Sequence, residues 1–153
     1  ILNSNIMEEW FTGVVRGTST LPNGKRKKVS DTYLVDAMGF TEAENVLVKH
    51  CFPLYGEAKV MTLKREVIEE VSGFDKEQWW KVVIGISDVT PKGKVKIRRY
   101  NHIVSADNVS QAKELITERM KGTIGDWKIL KIEVTRFKDI IIHSDGTSKD
   151  ELR

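Results

Sequence analysis

The chain has a single cysteine, Cys51, so no internal disulfide can form and no cysteine-built metal cluster is available. No apolar run approaches the ~20 residues of a membrane-spanning helix, and the start lacks the basic-then-apolar order of a secretory signal. A cytoplasmic address is therefore expected, with no membrane partner. Charge of one sign is also short: 25 Lys and Arg against 22 Asp and Glu leave +3, too little to argue for nucleic acid by itself. Catalytic fingerprints are missing too, with no GxSxG, P-loop, HExxH or Rossmann pattern. His50, His102 and His143 share no metal-ligand spacing, and His50 and Cys51 are neighbours that point apart on a helix. Of the acids Asp31, Asp36, Glu42 and Glu44, only Asp36 falls at a strand end suited to a metal-dependent nuclease site, and its counterpart in the repeat described below is Ser105. These absences predict a non-enzyme without metal or cofactor. What remains, 153 residues with 40% hydrophobic and 31% charged, is the composition of a globular protein with room for a core.

The chain is similar to itself. Laying residues 10–68 over 79–137 needs no gap and gives eleven identities: Trp10/Trp79, Val14/Val83, Pro22/Pro91, Gly24/Gly93, Lys25/Lys94, Lys27/Lys96, Val35/Val104, Ala37/Ala106, Ala43/Ala112, Gly56/Gly125 and Lys59/Lys128. Composition alone gives roughly three or four. Each copy reads as an apolar strand (Trp10–Arg16, Trp79–Ser87), a Pro-x-Gly turn, and a returning strand (Val29–Ala37, Val95–Ala106). A helix follows (about Thr41 to His50, about Ser110 to Lys121), then a last strand, Lys59–Val67 or Lys128–Ile142. Thr41 and Glu44 have capping-box spacing.

The fold class expected is α+β: a tandem duplication of a ββαβ unit, with antiparallel sheets, one helix per repeat and a pseudo-two-fold relation. Residues 1–6 read as a leader or tag remnant before Met7, 7–70 as the first repeat, 71–78 as a linker around Ser72-Gly73, 79–143 as the second repeat and 144–153 as a polar, frayed tail.

Strand alternation divides the faces. Trp80, Val82, Ile84 and Ile86 are expected to face the helix, leaving Trp79 the more accessible of the tryptophan pair. The helix-free face would then carry Trp10, Trp79 and Trp127 among Arg16, Lys64, Lys81 and Lys131. Flat indoles stack on unpaired bases while cations neutralise phosphates, so this face reads as a platform for nucleic acid, single-stranded DNA before RNA. The hairpin tips extend it with Lys25, Arg26, Lys27 and Lys28 in one repeat and Lys92, Lys94, Lys96, Arg98 and Arg99 in the other. The alternatives stay open at this point: tryptophans on such a face also pack against another sheet or a homodimer partner, and lysines also blunt sheet edges.

The segments Glu9-Trp10-Phe11, Lys27-Lys28-Val29, Tyr33-Leu34-Val35-Asp36-Ala37, Phe40-Thr41-Glu42-Ala43-Glu44, Trp79-Trp80-Lys81 and Met120-Lys121-Gly122-Thr123 together resemble a domain-of-unknown-function family of small proteins from Bacteroidetes bacteria and their phages. The resemblance runs from Met7 to about Ile142. It implies a phage or bacterial source and a cytoplasmic address, and it supplies no catalytic residues. By analogy with small phage and mobile-element proteins it implies a replication or single-stranded-DNA accessory.

Overall fold

The computed structural model describes residues 9–142 and the strand positions 147–148. The expected leader, Met7 and His143 lie outside the described residues, as does most of the tail.

Two long hairpins dominate. β1 (Glu9–Thr20) and β2 (Arg26–Ala37) form the first, β5 (Trp79–Val89) and β6 (Val95–Ser105) the second. Their tips close alike. The Gly24 N–H donates to Leu21 O at 2.9 Å and the Gly93 N–H to Thr90 O at 2.8 Å. Both glycines sit in the left-handed region, φ 83° and 82°, where a side chain is strained. Each hairpin is followed by a helix, α1 (Phe40–Cys51) or α2 (Val109–Arg119), and a third strand, β3 (Gly56–Glu66) or β7 (Trp127–Val134).

The α+β class stands, with two helices and two mixed sheets. The sheets are not purely antiparallel as expected. A short strand β4 (Glu70–Ser72) follows β3, and a strand β8 (Phe137–Ile142) follows β7; each pairs in parallel, β4 with β6 and β8 with β2. The strand expected as one run from Lys128 to Ile142 is thus broken at Thr135, whose N–H and hydroxyl both donate to Trp79 O at 2.9 Å. The expected linker at 71–78 likewise begins inside a ladder strand. With β9 (Thr147–Ser148) on β8, the sheet orders are β3-β1-β2-β8-β9 and β4-β6-β5-β7.

The chain divides accordingly into two compact units. One runs up to Val67 and resumes at Arg136; the other is Ile68–Thr135. Each supplies its own helix-on-sheet core. In the first, Ala43, Leu47 and Cys51 of α1 pack on Phe11, Val15, Tyr33 and Val35. Gly13 permits the close approach there, since a Cβ on it would lie 2.3 Å from the Leu47 Cδ1 atom. In the second, Ala112 and Ile116 of α2 pack with Met120 on Val82, Ile84 and Val104.

The helix starts differ from each other. Asn108 caps α2 by accepting the Gln111 N–H at 2.8 Å, while Gln111 accepts the Asp107 N–H at 2.6 Å, satisfying two otherwise free donors. The capping box expected at Thr41 is not formed. α1 begins one residue earlier, Gly39 is its cap, and Glu42 accepts the Met38 N–H at 3.0 Å.

Candidate nucleic-acid interface and two buried polar clusters

The hairpin tips carry the basic residues clear of the cores. Lys25, Arg26, Lys27 and Lys28 on one tip and Lys92, Lys94, Lys96, Arg98 and Arg99 on the other are all exposed. Among the described residues none of them has an acidic partner within salt-bridge distance. The sequence keeps acids away on both sides. No Asp or Glu occurs between Glu9 and Asp31, nor between Asp88 and Asp107. Each hairpin is therefore a projecting arm whose outer half is cationic.

Within the second unit, the two tryptophans expected on the platform, Trp79 and Trp127, do not share an exposed face. Trp79 is fully buried, with the Phe74 ring edge-on at 5.4 Å, so it offers no face to a base. The face assignment by alternation is right for the pair, because Trp80 does pack on the helix-side core. It stands at the margin of that core, half-buried, with its indole N–H donating to Ala106 O at 3.0 Å. What alternation does not reveal is that the helix-free face is itself covered at Trp79, Val83 and Ile103, and in the first unit at Leu34 and Ile140. The accessibility order of Trp79 and Trp80 is thus reversed.

Trp127 is on the other face from the one expected. Ile132 pairs with Val82, but Ile129 pairs with Ile84 and Trp127 with Ile86, so β7 carries one extra residue, Leu130, between the pairs. That bulge inverts the parity of everything before it. Trp127 and Ile129 consequently join the α2 core, and Leu130 lies over Gly85 instead. The same irregularity falls at Met61 in β3. Trp10 remains half-buried, Arg16 is exposed and Lys81 is half-buried between Ile103 and Glu133.

Local sequence signals do not reveal two polar clusters under the helices. In the first unit Tyr33 donates to the Tyr55 hydroxyl at 2.5 Å, and Tyr55 donates to Asp31, which Lys138 approaches at 3.3 Å. Nearby, His50 Nε2 lies 3.7 Å from an Asp139 carboxylate oxygen. Burial, and after it hydrogen bonding, raises both tyrosines above their ordinary range; burial pushes the Cys51 thiol up to about 11.

In the second unit the parallel pairing of Glu70 with His102 sets the cluster. His102 is fully buried, and its Nε2 lies 2.7 Å from Ser72 Oγ. Its Nδ1 has no hydrogen-bond partner; the Glu70 Oε1 atom lies 3.8 Å away. Glu70 is held by the Tyr100 hydroxyl, which donates at 2.7 Å, and by the Arg119 guanidinium. Burial alone would raise the Glu70 carboxyl, but those two hydrogen bonds, with the His102 and Arg119 charges, bring it below its ordinary value. Burial lowers His102, with Glu70 opposing in part. Tyr100 is pushed up to about 12, first by burial and then by Glu70. Ser72 also lines a cavity of about 470 Å³ beside α2, together with Gly73, Val104, Leu115 and Arg119.

The sequence profile of a domain of unknown function, DUF4494, matches residues 9–143. The chain belongs to the DUF4494 family. Both arms and both polar clusters lie within the DUF4494 match. A search of curated proteins finds no match. No helix among the described residues is long and apolar enough to cross a membrane.

Proposed function

We propose that this DUF4494 protein binds nucleic acid, single-stranded DNA in preference to RNA, through its two basic hairpin arms. Binding of this kind requires no catalysis by the arms. The observation that carries the reading is the pair of unpaired cationic tips at matching positions, each set in a stretch free of acids. Phosphate contacts from such tips are independent of sequence and gain from counterion release. Trp10 is the aromatic left to stack on a base from the helix-free side. The matching arms are read as products of a tandem duplication of a ββαβ unit. A role as a phage or mobile-element accessory in the cytoplasm of a bacterial host rests on the family resemblance.

A specific observation favours one rival. Val89, Val95 and Ile97 are 66%, 71% and 48% exposed along the second arm, an apolar surface suited to a partner protein or a second copy. Salt separates the readings. Fluorescence anisotropy with a labelled single-stranded oligonucleotide should show affinity falling steeply between about 50 and 200 mM salt. Replacing Lys25, Arg26, Lys27 and Lys28 by Ala should flatten the logarithmic salt slope by about one per lost contact. Absence of binding to any single-stranded oligonucleotide at about 50 mM salt would overturn the proposal and leave the protein-interaction reading.

A further inference from the structure

We propose that Ser72 is an activated serine nucleophile, with His102 as its general base and Glu70 orienting that base, and that it takes acyl groups from small carboxylic esters entering the cavity beside α2. This goes beyond nucleic-acid binding and uses none of the arm residues.

A serine hydroxyl is a poor nucleophile until a base within hydrogen-bond reach can accept its proton, and the Ser72 Oγ atom lies 2.7 Å from His102 Nε2. When Ser72 donates to Nε2, the ring proton resides on Nδ1, the nitrogen that looks toward Glu70 Oε1 at 3.8 Å. That separation is longer than a hydrogen bond, as such contacts often are before a substrate is bound. The Glu70 carboxylate is fixed from two further sides, by Tyr100 on β6 and Arg119 on α2. Nucleophile, base and orienting acid are thus in the order that acyl transfer needs, on two strands joined in parallel.

Access and environment agree with that role. His102 is sealed from solvent, whereas Ser72 is part of the cavity lining, so the nucleophile's residue borders the space and the base does not. Val104 and Leu115 give the cavity apolar wall for an acyl chain, and Arg119 places a cation on its lining. Burial keeps His102 in its neutral, proton-accepting form at neutral pH, with Glu70, Arg119, Tyr100 and Ser72 as the polar groups about it. The first unit is a built-in contrast. At the matching positions it has Asp139 paired with Tyr33, and Ile141 where the serine would be, so it holds neither nucleophile nor base.

Ser72 Oγ bonds to the ester carbonyl carbon as its proton passes to His102 Nε2. The carbon–alkoxy bond then breaks, and the departing oxygen takes the proton from Nε2 and leaves as an alcohol. Water attacks the acyl-serine, giving its proton to Nε2; the carbon–Oγ bond breaks, Oγ recovers the proton, and a carboxylic acid leaves.

The full chain should be treated with an alkyl fluorophosphonate probe, digested and mapped by mass spectrometry, and assayed with p-nitrophenyl acetate. The expected result is one adduct, on Ser72, and ester hydrolysis that Ser72→Ala abolishes. His102→Gln should slow hydrolysis by about 10²-fold or more. Replacing the arm lysines should leave both readouts unchanged. Absence of an adduct on Ser72 in the wild-type protein, or hydrolysis by Ser72→Ala at the wild-type rate, would overturn the proposal. The wild-type mapping decides the matter even if the His102 variant does not fold.

Discussion

The two units share a scaffold and differ in what they bury in it. Their hairpins pair in the same register, Trp10 with Asp36 and Trp79 with Ser105, and their third strands bulge at the same place. Under the helix, however, one holds a chain of tyrosine hydroxyls ending on Asp31, and the other a histidine between a serine and a glutamate. Backbone pairing therefore sets where a buried polar cluster sits, and the side chains at a few matched positions set what chemistry it has. Repetition of a frame does not imply repetition of a site.

The comparison breaks most visibly at the matched tryptophans. Trp79→Ala should cost about 3–5 kcal/mol by opening a cavity, whereas Trp10→Ala, half-buried at the same register, should cost less than about 2 kcal/mol. Urea denaturation of the two variants measures both. Similar losses would mean that the two helix-free faces are covered alike.

Next comes Gly13, which lets Leu47 lie against the sheet where the second unit has Val82. Gly13→Ala should cost about 1–3 kcal/mol through overpacking, read by the same denaturation. A neutral result would show that Leu47 swings aside freely. At the tips the units should behave alike. Gly24→Ala and Gly93→Ala each force a side chain into the left-handed region, and each should cost about 1–2 kcal/mol. A difference between the two would break the likeness of the arms.

The gentlest contrast is in pH. His102 and Glu70 have folded values below their ordinary 6.5 and 4.5, so the unfolded chain binds more protons as acid is added. The stability from His102 is full above 6.5 and declines as pH falls below it; that from Glu70 declines below 4.5. Tyr33 and Tyr55 are raised instead, so their contribution is present below 10 and is lost as pH rises beyond it. Melting temperature against pH should show His102→Gln flattening the acid limb and Tyr33→Phe the alkaline one. An acid limb unchanged by His102→Gln would sink the assignment.

Much of the frame was legible. The Pro-x-Gly tips, the two long hairpins, the helices and the helix-side core follow from local signals: turn chemistry, alternation and helical spacing. Three features escape such signals. β4 and β8 are short and pair in parallel with strands about thirty and one hundred residues distant, and nothing local records a partner that far away. A single bulged residue, Leu130, moves Trp127 across the sheet, and one extra residue leaves the apolar pattern readable in either parity. The polar clusters depend on the parallel pairings. Ser72 reads as linker, and His102 reads as an isolated histidine, until the β4 pairing places Glu70 beside it.

The discontinuity of the first unit also orders events in time. A chain made from its N-terminus completes β1 through β3 early, yet β8 of the same sheet, Phe137–Ile142, emerges only after the whole of the second unit. The second unit, Ile68–Thr135, has all its strands in hand sooner. Until β8 arrives, the far side of β2 is an open edge with free N–H and C=O groups, the kind of edge that recruits a strand from a neighbouring chain. Correct assembly thus requires the chain's own late strand to reach that edge before any other strand does.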